Sequence, residues 1–375
     1  MKIGKAAIRN SIPALIAIAI AAFFLHRFTA PPDYSAGRLG EFKSWDSGIF
    51  PGVASRHGQW LDDDTIVYQG YMGGKPRTSA EARDRKLVII VWHLGDPPVA
   101  YDDDRWEKMG GEQYICASDG KLVYPVGRSM QADGKPLMTI AEGPPGHMQE
   151  RTIEDPHRAL EDRSRPDQIH DSRVCDFFHD DRMAGHDWTV DHDRKFYLDF
   201  GPSIVLRKPD NIEEAVPLDI PRDGVKAVCT NYHRFDHNFY IEPCLIGSDN
   251  LSEQKPCRAY WTVSTDTQTA EKHCIPFDAK LSRLYLTLVP TSRGVFLTTP
   301  QGGTLNDPGR SGLYAPDAKS GRYVQAIAGF IERPSISPNG CRLAFPYAKT
   351  VQDVSSPVFG RYTYTVIDVC EGRSK

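Results

Sequence analysis

The feature that most constrains this chain is a turn that passes straight into an apolar strand, and the pattern recurs. In Ser335-Ile336-Ser337-Pro338-Asn339-Gly340-Cys341-Arg342-Leu343-Ala344-Phe345, the Pro-Asn-Gly core brings a preset φ, a side chain that bonds its own backbone and a residue free to take positive φ. A second strand-like run, Arg361-Tyr362-Thr363-Tyr364-Thr365-Val366-Ile367-Asp368-Val369, follows after a loop. Short β-rich runs bracketed by turn residues bury their apolar faces by pairing into antiparallel sheets. Comparable pairs can be drawn at 59–68 with 86–92, at 114–124, at 188–198 with 203–206, around Cys229 and Cys244 with 259–263, and at 283–289 with 294–297 and 312–314. The turns lie near Asp63, Asp119, Asp193, Asp236, Arg293 and Asn339. Their spacing is loose around that of propeller blades carrying insertions. With 31 glycines and 28 prolines the chain has many turns to make, which favours short strands over long helices.

Residues 335–345, and less closely 117–124 with its Ser118-Asp119-Gly120-Lys121 turn, resemble the repeat of TolB-type or WD-like (PD40-like) β-propellers. In that repeat a Ser-Pro-Asp-Gly-Lys turn leads an inner strand; here Asn339 stands for the Asp and Cys341 for the Lys. The resemblance implies an all-β fold, a β-propeller of six blades over residues 56–375, with residues 31–55 as a linker that supplies a closing strand. Five or seven blades, or a pair of β-sandwiches, also fit the spacing. Residues 150–173, half of them charged and nearly devoid of large apolar side chains, are expected to form an exposed insertion.

The N-terminal segment reads as a membrane anchor. Lys2, Lys5 and Arg9 precede the apolar run 12–25, and Arg27 follows it. The run is shorter than a comfortable spanning helix, but the flanking apolar residues and snorkelling arginines extend it, so residues 11–28 are the expected membrane contact. The rival is a cleaved export signal. Phe23-Phe24-Leu25 after Ala19-Ile20-Ala21, and Pro31-Pro32 after Ala30, make poor cleavage sites. The cation bias places the N-terminus in the cytoplasm and the body outside, as in a single-pass protein of a bacterial-type inner membrane with a periplasmic body. The net charge is −4, and with residues 1–30 purely cationic the body is more acidic still, which argues against nucleic acid as a partner.

Eight cysteines, none before Cys116, fit an oxidising compartment. Residues equidistant from a hairpin turn face each other near the distance a disulfide needs. On that basis Cys229–Cys244, Cys257–Cys274 and Cys341–Cys370 pair, and Cys116–Cys175 pair by elimination. Free buried thiols are the alternative, and the absence of any Cys-x-x-Cys argues against structural zinc.

Chemistry is sparse. The segment from Cys175 to Asp193 gathers His179, His186, His192 and Asp187, residue types that bind divalent metals or act as bases, at a spacing that matches no metal motif; a solvated, turn-rich loop explains them as well. His233, Asp236 and His237 form a smaller group at a hairpin tip. The triplets Asp62-Asp63-Asp64 and Asp102-Asp103-Asp104 lack the alternation and the glycine of a calcium loop. No Gly-x-Ser-x-Gly, His-Glu-x-x-His, dinucleotide-binding or P-loop motif occurs. Trp60, Trp92, Trp106, Trp188 and Trp261 are spread along the body, as core residues or as stacking platforms for sugars or peptides. The expected role is a membrane-anchored scaffold that binds an envelope protein or glycan, with no cofactor. The alternative is a periplasmic hydrolase or lyase whose His/Asp site lies in the propeller channel.

Overall fold

A computed structural model describes residues 42–51, 58–71, 87–103, 115–118, 120–154, 188–190, 197–199, 204–208, 211–220, 231–242, 257–276, 287–298, 312–317, 319–331, 334–348 and 363–371. Among them the regular structure is entirely β, arranged as six antiparallel sheets that follow one another along the chain.

The fourth sheet shows the plan. Asn231–Phe235, Asn238–Glu242, Cys257–Ser264 and Thr269–Pro276 pair in chain order, each with the next. The second sheet (Cys116–Ser118, Lys121–Met130, Pro136–Gly143, Gln149–Glu154), the third (Trp188–Val190, Tyr197–Asp199, Val205–Lys208, Asn211–Pro217) and the fifth (Thr287–Thr291, Gly294–Thr298, Gly312–Pro316, Tyr323–Ala328) repeat it. In the first and sixth sheets the leading strand is split. Phe50–Pro51 and Gln59–Trp60 both pair with Thr65–Tyr71, and Phe330–Ile331 and Ser335–Ile336 both pair with Arg342–Ala348. The first sheet continues through Leu87–His93 to Val99–Tyr101. The sixth continues to Thr363–Asp368 and is completed by Lys43–Asp46, from near the start of the chain.

Alternating side chains explain why the sheets stack face to face. In Thr65–Tyr71, Ile66 and Tyr68 pack toward the sixth sheet, while Val67 packs toward the second. In Arg342–Ala348, Leu343, Phe345 and Tyr347 pack toward the fifth sheet and Ala344 toward the first. Leu122 and Tyr124 meet the first sheet, and Leu206 with Ile204 meets Phe239, Ile241 and Trp261 of the fourth. Strands buried on both faces must be apolar at consecutive positions, and Leu87–His93 reads LVIIVWH for that reason. This is propeller architecture: small sheets packed face to face in succession, the last one finished by the chain's opening strand.

The stack has two unlike ends. At one end the first strand of each sheet returns directly into the second: Phe235 lies opposite Asn238, Thr291 opposite Gly294, and Ser118 opposite Lys121. The third and fourth strands of the fourth sheet also turn there, with Ser264 opposite Thr269. We call this the tight-turn end. At the other end the strands are joined by the connectors 72–86, 155–187, 243–256, 299–311 and 349–362, which lie outside the described residues. The short hairpin 131–135, fully exposed, belongs to this connector end.

Residues 1–41, which hold the expected anchor, lie outside the described residues; among those described no helix is long and apolar enough to cross a membrane. The charged stretch expected as an insertion at 150–173 begins as strand: Gln149–Glu154 pairs with Pro136–Gly143, because Ile153 turns inward and is buried. Residues 155–173 lie outside the described residues.

Candidate functional site

Of the residues singled out as metal candidates, His179, His186 and Asp187 belong to the connector 155–187 and His192 to 191–196, all outside the described residues. The strands show where these segments attach. Glu154 and Trp188, which bound 155–187, lie at the connector end, whereas Val190 and Tyr197, which bound 191–196, pair at the tight-turn end. The chain segments carrying His179 and His192 therefore leave the third sheet from opposite ends. Among the described residues no group of three or more His, Cys, Asp or Glu is placed to hold a metal.

In the aspartate triplets Asp62, Asp63, Asp64 and Asp103 are committed to protein donors, and Asp104 lies outside the described residues. Asp63 Oδ1 accepts the Asn339 N–H at 2.8 Å, Asp64 pairs with the Arg342 guanidinium, and Arg342 also donates to the Asp63 carbonyl. Asp103 is buried and accepts the Tyr124 hydroxyl. The Asp63, Asp64, Asn339 and Arg342 contacts belong to a belt that joins the tight turns of neighbouring sheets, whereas Asp103, which follows Tyr101 opposite Ile89, lies toward the connector end. Gly120 N–H donates to the Leu61 carbonyl at 2.8 Å, Ser292 N–H to the Gly340 carbonyl at 3.1 Å, and Ser292 Oγ to the Asn339 carbonyl at 2.9 Å. Within the sixth-sheet turn, Asn339 Oδ1 accepts from Cys341 N–H and Ser337 Oγ. Asn thus supplies the acceptor for which the repeat uses Asp.

The belt includes a disulfide. Cys341 and Cys370 are bonded, their Cα atoms 5.0 Å apart. These are the partners expected from their distance to the turn, with the register displaced by one residue: Arg342 faces Asp368, and Val369 N–H donates to the Cys341 carbonyl at 2.8 Å. Cys116 and Cys274 are each in a disulfide, and no described cysteine is free. For Cys257 and Cys274 the backbone register is displaced by more, with Cys257 opposite Pro276 and Cys274 opposite Ala259. The hairpin register Asn231–Glu242 is the one that equidistance of Cys229 and Cys244 requires; both of these and Cys175 lie outside the described residues.

A cluster of tyrosines with one histidine lies between the fourth and fifth sheets. The alternation in Cys257–Ser264 sends Trp261 and Val263 to the third sheet and Tyr260 to the fifth. Tyr240 and Tyr323 pack at the same seam, against Leu288, Val295, Leu297 and Tyr314. Tyr260 lies directly across from His273 and stacks on it, ring centroids 4.9 Å apart and planes inclined by 20°. Tyr323 donates its hydroxyl to the Val295 carbonyl at 2.9 Å. Burial, first of all, raises the phenols of Tyr240, Tyr260 and Tyr323 above their ordinary range, so they stay neutral. His273 Nε2 is buried without a hydrogen-bond partner, its nearest carboxylate oxygen being Glu271 Oε2 at 3.9 Å. Neutral phenols and a stacked imidazole donate hydrogen bonds and offer flat faces; they make a binding surface rather than an acid–base pair.

Sequence reasoning passed over this seam. The signal lay in the two-residue period of 257–264 and 269–276, where Tyr260, Thr262, Glu271 and His273 share one face. Trp60, Trp92 and Trp261 are core residues, each buried; Trp45 is half-buried beneath Lys43 and Arg342. The side chains of Trp106 and Trp188 lie outside the described residues.

No protein-family model matches this chain, and no curated protein matches it. Solved structures with similar folds include PorZ, a surface component of the type-IX secretion system of Porphyromonas gingivalis, at 11% identity and TM-score 0.38 over 82% of this chain and 37% of that one. The β-propeller domain of the Trilobed protease from Pyrococcus furiosus is similar at 8% identity and TM-score 0.32, over 81% of this chain and 79% of that one. The acylaminoacyl peptidase of Pyrococcus horikoshii is similar at 8% identity and TM-score 0.35, over 81% of this chain and 44% of that one. The chain thus spans less than half the length of PorZ and of the peptidase.

Proposed function

We propose that this chain is a membrane-anchored, extracytoplasmic β-propeller of six blades that acts as a scaffold, binding a protein or glycan of the cell envelope at its connector end. The observation that carries this reading is the unequal division between the two ends. The strands of six similar sheets are joined by short turns at one end, those of the fifth, sixth, first and second sheets hydrogen-bonded to one another, and by the long connectors 72–86, 155–187, 243–256, 299–311 and 349–362 at the other. Long connectors on a rigid scaffold are where binding chemistry is placed, because they vary without disturbing the core. The segment 155–187, which carries the charged stretch and His179, His186 and Asp187, departs from and returns to the connector end, since Glu154 and Trp188 lie there. The anchor reading rests on the apolar run 12–25 and its flanking cations, and the body's acidity keeps nucleic acid out of consideration.

A hydrolase or lyase drawing on His179, His186 and His192 together has less support. Its histidines come from segments that leave the third sheet at opposite ends, and the phenols of Tyr240, Tyr260 and Tyr323 stay protonated. The deciding experiment places a photo-crosslinking amino acid at Asn306, in the connector 299–311, and at Thr267, an exposed residue of the tight-turn end. After irradiation in intact envelopes, Asn306 should give a discrete protein or glycan adduct and Thr267 none. Equal labelling from both ends, or none from either, overturns the scaffold reading. Stoichiometric zinc binding abolished by His179→Ala would favour the enzyme instead.

A further inference from the structure

The direction in which the chain enters the last sheet orients the whole body. Lys43–Asp46 is the outermost strand of the sixth sheet; Lys43 pairs with Asp368 and Asp46 with Thr365. Asp368 lies at the tight-turn end, opposite Arg342 and two residues before the disulfide-bonded Cys370. The chain therefore enters at the tight-turn end, where Lys43 Nζ reaches Glu371 Oε1 at 3.1 Å and lies 5.1 Å from the Trp45 ring centre. Only residues 26–42 separate this strand from the apolar run 12–25.

Such a segment reaches about 60 Å fully extended, but a flexible chain of that length has an average span of only about 20–25 Å. A strand such as Thr65–Tyr71 is itself roughly 23 Å long. Turning the connector end toward the bilayer would use the whole average span merely to pass along the outside of the sixth sheet. We propose that the anchored protein stands with its tight-turn end toward the lipid and its connector end away from it. The lipid-facing surface is of mixed charge: exposed Asp62, Asp96, Asp236 and Asp266 stand among Arg293 and Lys319. Lys43, Lys121 and Arg322 are exposed at the same end, so among the described residues the two signs are interspersed and the tether sets the orientation.

This inference rests on the anchor reading, and the test separates the two. The full chain is reconstituted into phosphatidylcholine–phosphatidylglycerol vesicles, and flotation is measured first. A fluorescent amino acid is then placed at Thr267 or at Asp133, which is exposed in the 131–135 hairpin of the connector end, with an acceptor dye on a lipid headgroup. Transfer should be several-fold stronger from Thr267 than from Asp133, and the ratio should fall toward one when a Gly-Ser stretch doubles the length of 26–42. Equal or inverted transfer in chains that float overturns the orientation while leaving the anchor intact. Failure to float overturns both.

Discussion

At the tight-turn end the turns of the fifth, sixth, first and second sheets are fastened to one another, whereas toward the connector end the strands part into long segments and the described inter-sheet bonds are made by strand tyrosines, Tyr124 to Asp103 and Tyr347 to the Ala328 carbonyl. Asp63 holds Asn339, Arg342 holds Asp64, and Ser292 holds both Asn339 and Gly340. The disulfide Cys341–Cys370 and the Arg293–Val369 contact at 3.0 Å lie in the same belt. The opening strand also enters here, so the contacts that close the molecule and those that tie its turns coincide. The difference teaches that the contacts fastening turn to turn are housed at one end, which leaves the other, where we propose that binding occurs, free to be rewritten without unfolding the body. Between the ends lie the inter-sheet seams, whose buried phenols belong to neither.

Alkali isolates those seams and is expected to give the largest effect. Burial is the first cause raising the phenols of Tyr68, Tyr124 and Tyr364, each nearly inaccessible to water. A phenol neutral in the folded state but ionised in the unfolded one contributes fully below pH 10, and that contribution is lost as pH rises above it. By pH 11.5 each such phenol costs about 2 kcal/mol. Urea midpoints should therefore be nearly flat from pH 8 to 9.5 and fall steeply beyond pH 10, and the ultraviolet phenolate signal should appear only with unfolding. Phenolate forming ahead of unfolding would show that the seams are open to water.

Removing the disulfide tests the belt directly. Cys341→Ser with Cys370→Ser should cost about 3–4 kcal/mol, from the loop that the bond closes. Intact mass with alkylation before and after reduction would show in parallel whether all eight cysteines are bonded. Gly340→Ala comes next. Gly340 has φ of +72°, and a methyl group there would sit 2.1 Å from Phe235 Cζ. A loss of about 2–3 kcal/mol is expected from backbone strain plus overpacking. A near-neutral result for either would mean that the belt is ornamental.

The sequence made the inner part of each sheet legible and the outer part not, for one physical reason. Each inner turn near Asp63, Asp119, Asp236, Arg293 and Asn339 falls between the first and second strands of its sheet, because those strands are buried on both faces and stop at recognisable turn residues. The outermost strands carry no such signature. Tyr323–Ala328 exposes Val324 and Gln325, and three of the six residues of Gln149–Glu154 are charged, so it read as an insertion. The disulfide partners Cys341 and Cys370 were legible from distance to the turn, but their one-residue displacement was not, since composition does not specify where a turn's register begins. The Tyr240–Tyr260–His273 seam was hidden because tyrosine beside tryptophan reads as core until the pairing shows which face each takes.

The smallest expected effect is the sharpest test of the contrast. Adding Gly-Ser-Gly-Ser within 299–311 lengthens a connector whose flanking strands, Gly294–Thr298 and Gly312–Pro316, are already held by pairing within the fifth sheet. Loop-closure entropy grows slowly with length, so the cost should be about 0.6 kcal/mol or less. The same residues placed between Ser292 and Arg293 would separate Thr291 from Gly294, which face each other across the turn. They would also pull Ser292 from Asn339 and Gly340, and Arg293 from Val369. That variant should lose several hydrogen bonds at about 1 kcal/mol each. Denaturation of the two insertions side by side compares the ends with composition and added length held constant. Equal losses would mean that the connectors are as tightly built as the turns, and the separation of stability from binding would fall with them.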